Sequence, residues 1–326
     1  MRIGRLILFA AVLLSIAACK KDLEAISYDE LNVGEDINLR DVHFVNGQIG
    51  FACGGNRDSH GAIFRTADGG QTWDKVFSHD SKSINCIGFF NDSVGYAGGD
   101  FLHLLKTTDG GLNWNFRWLA DTVPTDEDKR PAFKEFQTFF NIGYMIGGED
   151  YDAGVIYMTN DAGNSWTFHS FDQEVNSVDF FGQLYGIIGG YGRIYSTTDN
   201  GATFPISDIQ GDYFTGVQFI NSSTATAVGN NGGIYKSEDL GSTWETIRER
   251  NGSFGRRYNF NDVEYGNGFV YAVGENGLLI RIGDVGTSWT EMASIGENDL
   301  YGIRYSSHSG RFYIPSENGK IFVIQD

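Results

Sequence analysis

The chain has 326 residues, with 42 acidic against 24 basic side chains and a formal net charge of −18. That balance disfavours nucleic acid, because counterion release needs clustered Lys and Arg; with only 3 cysteines, a disulfide-stapled mini-domain is excluded too. Forty-four glycines beside 4 prolines point to many tight turns rather than disorder or collagen.

Only one apolar run of any length exists, and it opens the chain, so a polytopic membrane protein is excluded. Arg2 and Arg5 precede residues 6–18, which are apolar or small and too few to span a bilayer. The string Ile16-Ala17-Ala18-Cys19 resembles the lipobox of bacterial lipoproteins. The resemblance implies a signal peptide over 1–18, an acylated Cys19 and a short tether over 19–22. Losing Arg2 and Arg5 takes the mature chain to −20. Apolar periodicity resumes at Leu23. At about 3.5 Å per residue, a domain starting there sits within roughly 15 Å of its membrane. The expected location is the cell envelope, in the outer membrane on its periplasmic or surface face.

From Leu23 onward the chain repeats itself, and repeats decide the fold before anything else. Six segments share one pattern, the first being Thr66-Ala67-Asp68-Gly69-Gly70-Gln71-Thr72-Trp73. The others centre on Asp109, Asp161, Asp199, Asp239 and Asp284, spaced 41, 52, 38, 40 and 45 residues apart. Trp73, Trp114, Trp166, Trp244 and Trp289 close five of them, and Phe204 closes the fourth. Between these segments come an alternating run such as Val42-His43-Phe44, a Gly-terminated strand such as Gly50–Gly55, and a short strand such as Ala62–Phe64. Four short period-2 strands per unit of about 43 residues indicate an all-β propeller of four-stranded blades. No window keeps the 3.6 period of a helical solenoid. The segments resemble the Asp-box, or BNR repeat, of sialidases, sortilin-type receptors and photosystem II assembly-factor-like proteins.

Blade count is read from the ends. Three strands, Tyr301–Ser306, Arg311–Ser316 and Ile321–Ile324, follow the sixth segment without a fourth, while Leu23–Tyr28 is a strand without a blade. Joining them closes a ring and removes two free edges. The expectation is one seven-bladed propeller over 23–326, with six blades as the alternative.

In each repeated turn the aspartate is placed to accept backbone N–H groups, with the glycines giving positive φ and the Trp pinning the turn. A feature repeated six times points to scaffold rather than to six catalytic acids. Function then falls to what does not repeat. The loop at 54–61 carries Arg57, Asp58 and His60; that at 148–154 carries Glu149, Asp150, Tyr151 and Asp152; Arg193 follows Tyr191; Glu275 and Glu317 lie in shorter turns. The longest insertion, 120–132, explains the 52-residue spacing. Arg248, Arg250, Arg256 and Arg257 run against the overall charge and form a candidate patch for an acidic partner, with Arg304 able to face the same space. A solvated loop paired with nearby acids is the alternative.

Chemistry is thin elsewhere. Sialidase-type catalysis calls for an arginine triad, a Tyr–Glu pair and an acid, yet the Arg-Ile-Pro motif of that family is absent, and Arg311-Phe312-Tyr313-Ile314-Pro315 is late and altered. Asp150-Tyr151-Asp152 starts a calcium loop that lacks its distal Glu. The 6 histidines show no metal-pair spacing. No metal, cofactor or catalytic residue is expected. Cys53 reads as a buried strand residue, although an oxidising compartment permits a bridge to Cys86. Trp118 is an outer-strand residue or a glycan-stacking platform. Over the whole mature chain, a single propeller with successive Asp-boxes is most similar to the photosystem II assembly-factor-like family. That resemblance implies a non-enzymatic, exported propeller that binds membrane-complex subunits through arginine-rich patches, without implying photosynthesis. The expected protein is a monomeric, lipid-anchored module for an envelope protein partner; the alternative is a glycan-binding or glycan-cleaving lipoprotein.

Overall fold

The computed structural model describes residues 23–56, 60–117, 131–252, 257–283 and 287–325. Cys19, Arg57, Asp58, Trp118, Arg256, Asp284 and nearly all of the 120–132 insertion lie outside them. Among the described residues every regular element is a strand, apart from two short 3-10 turns at Asp100–Leu102 and Glu275–Gly277.

In chain order, β1 (Tyr28–Asn32) precedes three antiparallel four-stranded sheets. The first holds β2 (Leu39–Phe44), β3 (Gly50–Asn56), β4 (His60–Thr66) and β5 (Asp74–His79). The second holds β6 (Ile84–Phe89), β7 (Gly95–Gly99), β8 (Leu104–Thr107) and β9 (Asn115–Arg117). The third holds β10 (Ala132–Phe139), β11 (Ile142–Glu149), β12 (Ala153–Thr159) and β13 (Thr167–Phe171). Next comes a six-stranded sheet of β14 (Val175–Phe181), β15 (Tyr185–Thr197), β16 (Ile206–Phe219), β17 (Ala225–Gly229), β18 (Ile234–Ser237) and β19 (Glu245–Arg248). The fifth holds β20 (Phe260–Gly266), β21 (Phe269–Gly274), β22 (Leu279–Ile282) and β23 (Trp289–Glu291). The last holds β24 (Arg304–Ser306), β25 (Arg311–Pro315), β26 (Lys320–Ile324) and the N-terminal β1.

The propeller is all-β, but the expectation of seven separate four-stranded blades is corrected: its strands form six blades, five of four strands and one of six. The cause lies in β15 and β16, of 13 and 14 residues. Each runs through two strand positions without a break, and the pairs Tyr191↔Tyr213 and Arg193↔Gln210 carry the ladder across. The two shortest aspartate spacings, 38 and 40 residues, fall here and leave no connecting chain to separate the repeats. Two repeated turns therefore share one sheet.

At the ends, β1 pairs antiparallel with β26, from Tyr28↔Ile324 to Asn32↔Lys320. The pairing starts at Tyr28, where the sequence places the end of this strand rather than its beginning. Glu24 instead bridges Met292, and Arg281 holds the Glu24 carboxylate at 2.7 Å.

One backbone device recurs and explains the Gly-terminated strands. The inner strand of every sheet but the last shifts register near its start, as between Leu39 and Asp41, Ile84 and Cys86, Val175 and Ser177, and Phe260 and Asp262. Such a bulge swings a carbonyl towards the second strand. A Cβ on Gly99 would lie 2.0 Å from Ser83 O, and one on Gly274 would lie 2.0 Å from Asn259 O. Glycine is needed there for space, not for φ.

The core lies between successive sheets. Phe51 and Ile63 of one pack with Phe89, Leu105 and Trp114 of the next, all buried. Each fully buried side chain of this size contributes about 2–3 kcal/mol. Cys53 in this layer and Cys86 in the next are buried free thiols, not a disulfide.

Candidate functional site

The repeated aspartates are consumed where they stand. Asp68 accepts from Thr66 Oγ1 at 2.8 Å, from Thr72 N at 2.9 Å and from Thr72 Oγ1 at 2.6 Å. Asp109, Asp161, Asp199 and Asp239 repeat the set with Asn113, Ser165, Thr203 and Thr243. The Trp73, Trp166 and Trp244 indoles donate to the carbonyls of Gly70, Gly163 and Gly241. Hydrogen bonds from the following Thr, Asn or Ser hold Asp68, Asp109, Asp161 and Asp199 at a pKa of about 2. In the first four turns the glycine two residues after the aspartate also abuts the sheet before it: Gly111, at φ +77, would drive a Cβ to 2.2 Å from Phe51. Tyr96 reinforces the same contact by donating to Gly163 O at 2.7 Å. These acids brace their own turns and do not converge on a cavity.

The acids that do converge lie on the inner strands around the channel. Arg304, on β24, reaches Asp41 at 3.1 Å, Glu135 at 3.3 Å and Asp262 at 2.6 Å. Against desolvation, which opposes its charge, those three carboxylates keep the guanidinium firmly protonated. Burial in turn pushes the acids upward, Glu135 to about 8 and Asp179 to about 6, with Asp41, Asp262 and Glu264 raised as well. Several also cap the free edge of the neighbouring inner strand. Ile87 N donates to Asp41 at 2.9 Å, Val178 N to Glu135 at 2.8 Å, Phe219 N to Asp179 at 2.6 Å and Ile303 N to Asp262 at 3.0 Å. Arg304 was expected beside the arginine cluster as a partner contact; it is instead an internal tie across the ring. Burial also holds the neighbouring His43 near a pKa of about 4 and so neutral.

The sequence does carry a signal for this hub that period-2 reading passes over. Asp41, Ser177 and Asp262 each stand just after the bulge of an inner strand and immediately before the valine that opens its alternating run, where the bulge turns the side chain sideways to the next inner strand.

Loops joining inner strands to the preceding sheet, and second strands to third, gather on the face away from the aspartate turns. Arg248 donates to Gly232 O and Glu249 O, and its guanidinium lies 4.2 Å from the Tyr258 ring centroid and 5.4 Å from that of Trp289. Arg250 donates to Gly211 O, and Arg257 is exposed. Among the described residues none of these three arginines forms a side-chain ion pair. Arg193 differs, since Asp172 holds it through both oxygens at 2.9 and 3.1 Å. Glu275 and Glu317 accept from Asn259 at 2.6 Å and Asn298 at 2.8 Å and serve their own turns. Closer to the channel, Lys134 bonds Glu174, and Glu174 accepts from Tyr213 OH at 3.0 Å and Tyr151 N at 3.1 Å. Among the described residues no three His, Cys, Asp or Glu side chains are grouped to hold a metal, Asp150 and Asp152 included.

Fold and site together define a β-propeller whose repeated acids are spent on architecture and whose irregular face presents arginines and tyrosines. Residues 20–174 match the family model described as photosynthesis system II assembly factor YCF48. Photosystem II assembly lipoprotein Ycf48 of Synechococcus sp. (strain CC9902) is 25% identical over 307 residues, covering 88% of this chain and 82% of its own. A solved structure described as YCF48 bound to D1 peptide matches with a TM-score of 0.72 at 19% identity, covering 93% of this chain and 98% of that one. YCF48 from Cyanidioschyzon merolae matches at 0.69 and 18%, over 92% of this chain and 99% of its own. The WD40 propeller domain of Doa1 reaches 0.67 at 13%, over 93% and 97%, so the structural likeness by itself shows the fold. The chain resembles the photosystem II assembly-factor propellers, which are assembly factors and not enzymes.

Proposed function

We propose that this chain is an exported, lipid-anchored, non-catalytic propeller that binds an acidic segment of an envelope protein while a membrane complex is assembled. The observation that carries the reading is the trio Arg248, Arg250 and Arg257. Arg248 is held by backbone carbonyls and two aromatic rings and Arg250 by a backbone carbonyl, rather than by carboxylates. An arginine fixed in this way keeps its charge available to a partner's carboxylate and loses little freedom on binding. The likeness to a lipoprotein and to a propeller described with a bound peptide points the same way. Arg256 and Arg57 join the patch on sequence grounds, while Arg193 needs its Asp172 pair opened first.

Anchoring rests on Cys19, with the outer membrane as the proposed site. Cells fed tritiated palmitate should label the wild-type chain and not Cys19→Ser; labelling of both removes the anchor. Crosslinking in membranes should recover one reproducible protein partner. Its retention at wild-type yield in the combined Arg248→Ala, Arg250→Ala, Arg257→Ala variant contradicts the arginine reading.

A further inference from the structure

Three tyrosines adjoin the arginine patch. Tyr151 and Tyr191 are 57% and 44% exposed, and what matters is that the two exposed rings adjoin. Their centroids lie 4.7 Å apart, and Tyr213 stands 5.9 and 6.0 Å from them. Packing this close leaves no gap between the rings, so the group is a ridge rather than a cage. It is also firmly built. Asp150 and Tyr151 both take positive φ, 56° and 66°, a strained pair that turns the Tyr151 ring outward. The Tyr151 amide is held by Glu174, and the Tyr213 hydroxyl by Glu174 and Asn176 at 3.0 and 3.1 Å.

Continuity with the arginines follows from the six-stranded blade. Tyr191 on β15 pairs directly with Tyr213 on β16. Two residues before Tyr213 on the same strand is Gly211, whose carbonyl carries the Arg250 guanidinium. Two strand residues span about 7 Å. An extended peptide covers that distance in about two or three residues. Charge is graded along the line, with arginines at one end and the acidic tip Glu149, Asp150 and Asp152 beyond the tyrosines at the other.

We propose that Tyr151, Tyr191 and Tyr213 form a second contact for the same partner segment, taking an apolar side chain two to four residues from its acids. The inference rests on the arginine reading and narrows it to a peptide of stated order. Carboxylates lie over Arg248 and Arg250, an aromatic or branched aliphatic residue lies on the ridge, and no acid stands beyond that residue, where Asp150 and Asp152 would repel it.

Three fluorescein-labelled peptides test this against the mature protein by fluorescence anisotropy. One carries an Asp-Glu-Asp triplet three residues from a Phe-Leu pair; the second has Ser-Ser in place of Phe-Leu; the third places Phe-Leu ten residues away. The first should bind about tenfold more tightly than the other two, and Tyr151→Ser with Tyr191→Ser should erase that margin while leaving the Ser-Ser peptide unchanged. Equal affinity for all three, each lost on Arg248→Ala with Arg250→Ala, overturns the ridge and leaves the arginine reading standing. Binding of none overturns the arginine reading itself. A margin that survives both tyrosine substitutions contradicts the proposal. So does saturable binding of a neutral oligosaccharide that the same substitutions abolish, because the ridge then serves sugars.

Discussion

Glycine content looks like a loop signal until each residue is asked what a side chain would meet. Gly274 has ordinary φ, yet an added Cβ would lie 2.0 Å from the Asn259 carbonyl. Gly47, in the turn after β2, meets nothing within 4 Å. Gly274→Ala should therefore cost about 3 kcal/mol in a urea melt, at the upper end for overpacking. Gly47→Ala should change stability by under about 0.5 kcal/mol. Equal effects at the two sites would mean that the bulged inner strand is not what demands glycine. The composition makes the number of glycines plain, but not this division. The clash is with a carbonyl some fifteen residues earlier, brought close only by the ladder.

At the scale of the element, the repeated turns and the inner strands carry opposite kinds of acid effect. The turn aspartates, with a pKa near 2, lend stability at and above the normal carboxylate range and lose it as pH falls from about 4 towards 2. The channel acids run the other way. Asp179, near 6, and Glu135, near 8, stay protonated in the fold at pH values where the unfolded chain has released those protons. Their contribution is full in acid and fades as pH rises through about 6 and then about 8. Melting temperature against pH should peak at about pH 4 and decline towards pH 8; a profile rising steadily to pH 8 would contradict the assignment. Arg304→Met leaves those acids without their cation and should cost about 3–5 kcal/mol at pH 8. At pH 5 more of them carry a proton and the loss should be smaller. A loss independent of pH would show that Arg304 serves packing alone.

The strands themselves were largely legible, because alternation, Gly stops and aspartate turns are local signals. Their grouping was not. Whether β15 and β16 break or run on depends on the Tyr191↔Tyr213 pairing between strands, which no periodicity displays. The same applies to Arg304. Proximity in type to Arg248–Arg257 suggested a shared face, whereas its partners Asp41, Glu135 and Asp262 come from three other sheets. The arginine cluster was legible because four like charges in ten residues stand out in an acidic chain. The tyrosine ridge was half legible: Tyr151 and Tyr191 fall in segments that the repeat does not explain, but that Tyr191 lies on β15 and meets Tyr213 is decided by the fold.

On the scale of the whole molecule, the division of labour is between a stitched ring and one irregular face. The ring closes through β1 on β26 and through carboxylates that cap successive inner strands. The face carries the arginines and tyrosines. The most direct test measures stability and partner capture side by side in two variants, Asp109→Asn and the combined Arg248→Ala, Arg250→Ala, Arg257→Ala. Asp109→Asn should lower the melting temperature by a few degrees, since the carboxylate oxygen that accepts from Asn113 Nδ2 becomes an amide donor and the turn loses that bond, and the folded protein should still crosslink its partner. The arginine variant should melt within about 2 °C of wild type and lose the partner. The reverse pattern, with capture abolished at Asp109 and intact without the arginines, would contradict the division outright.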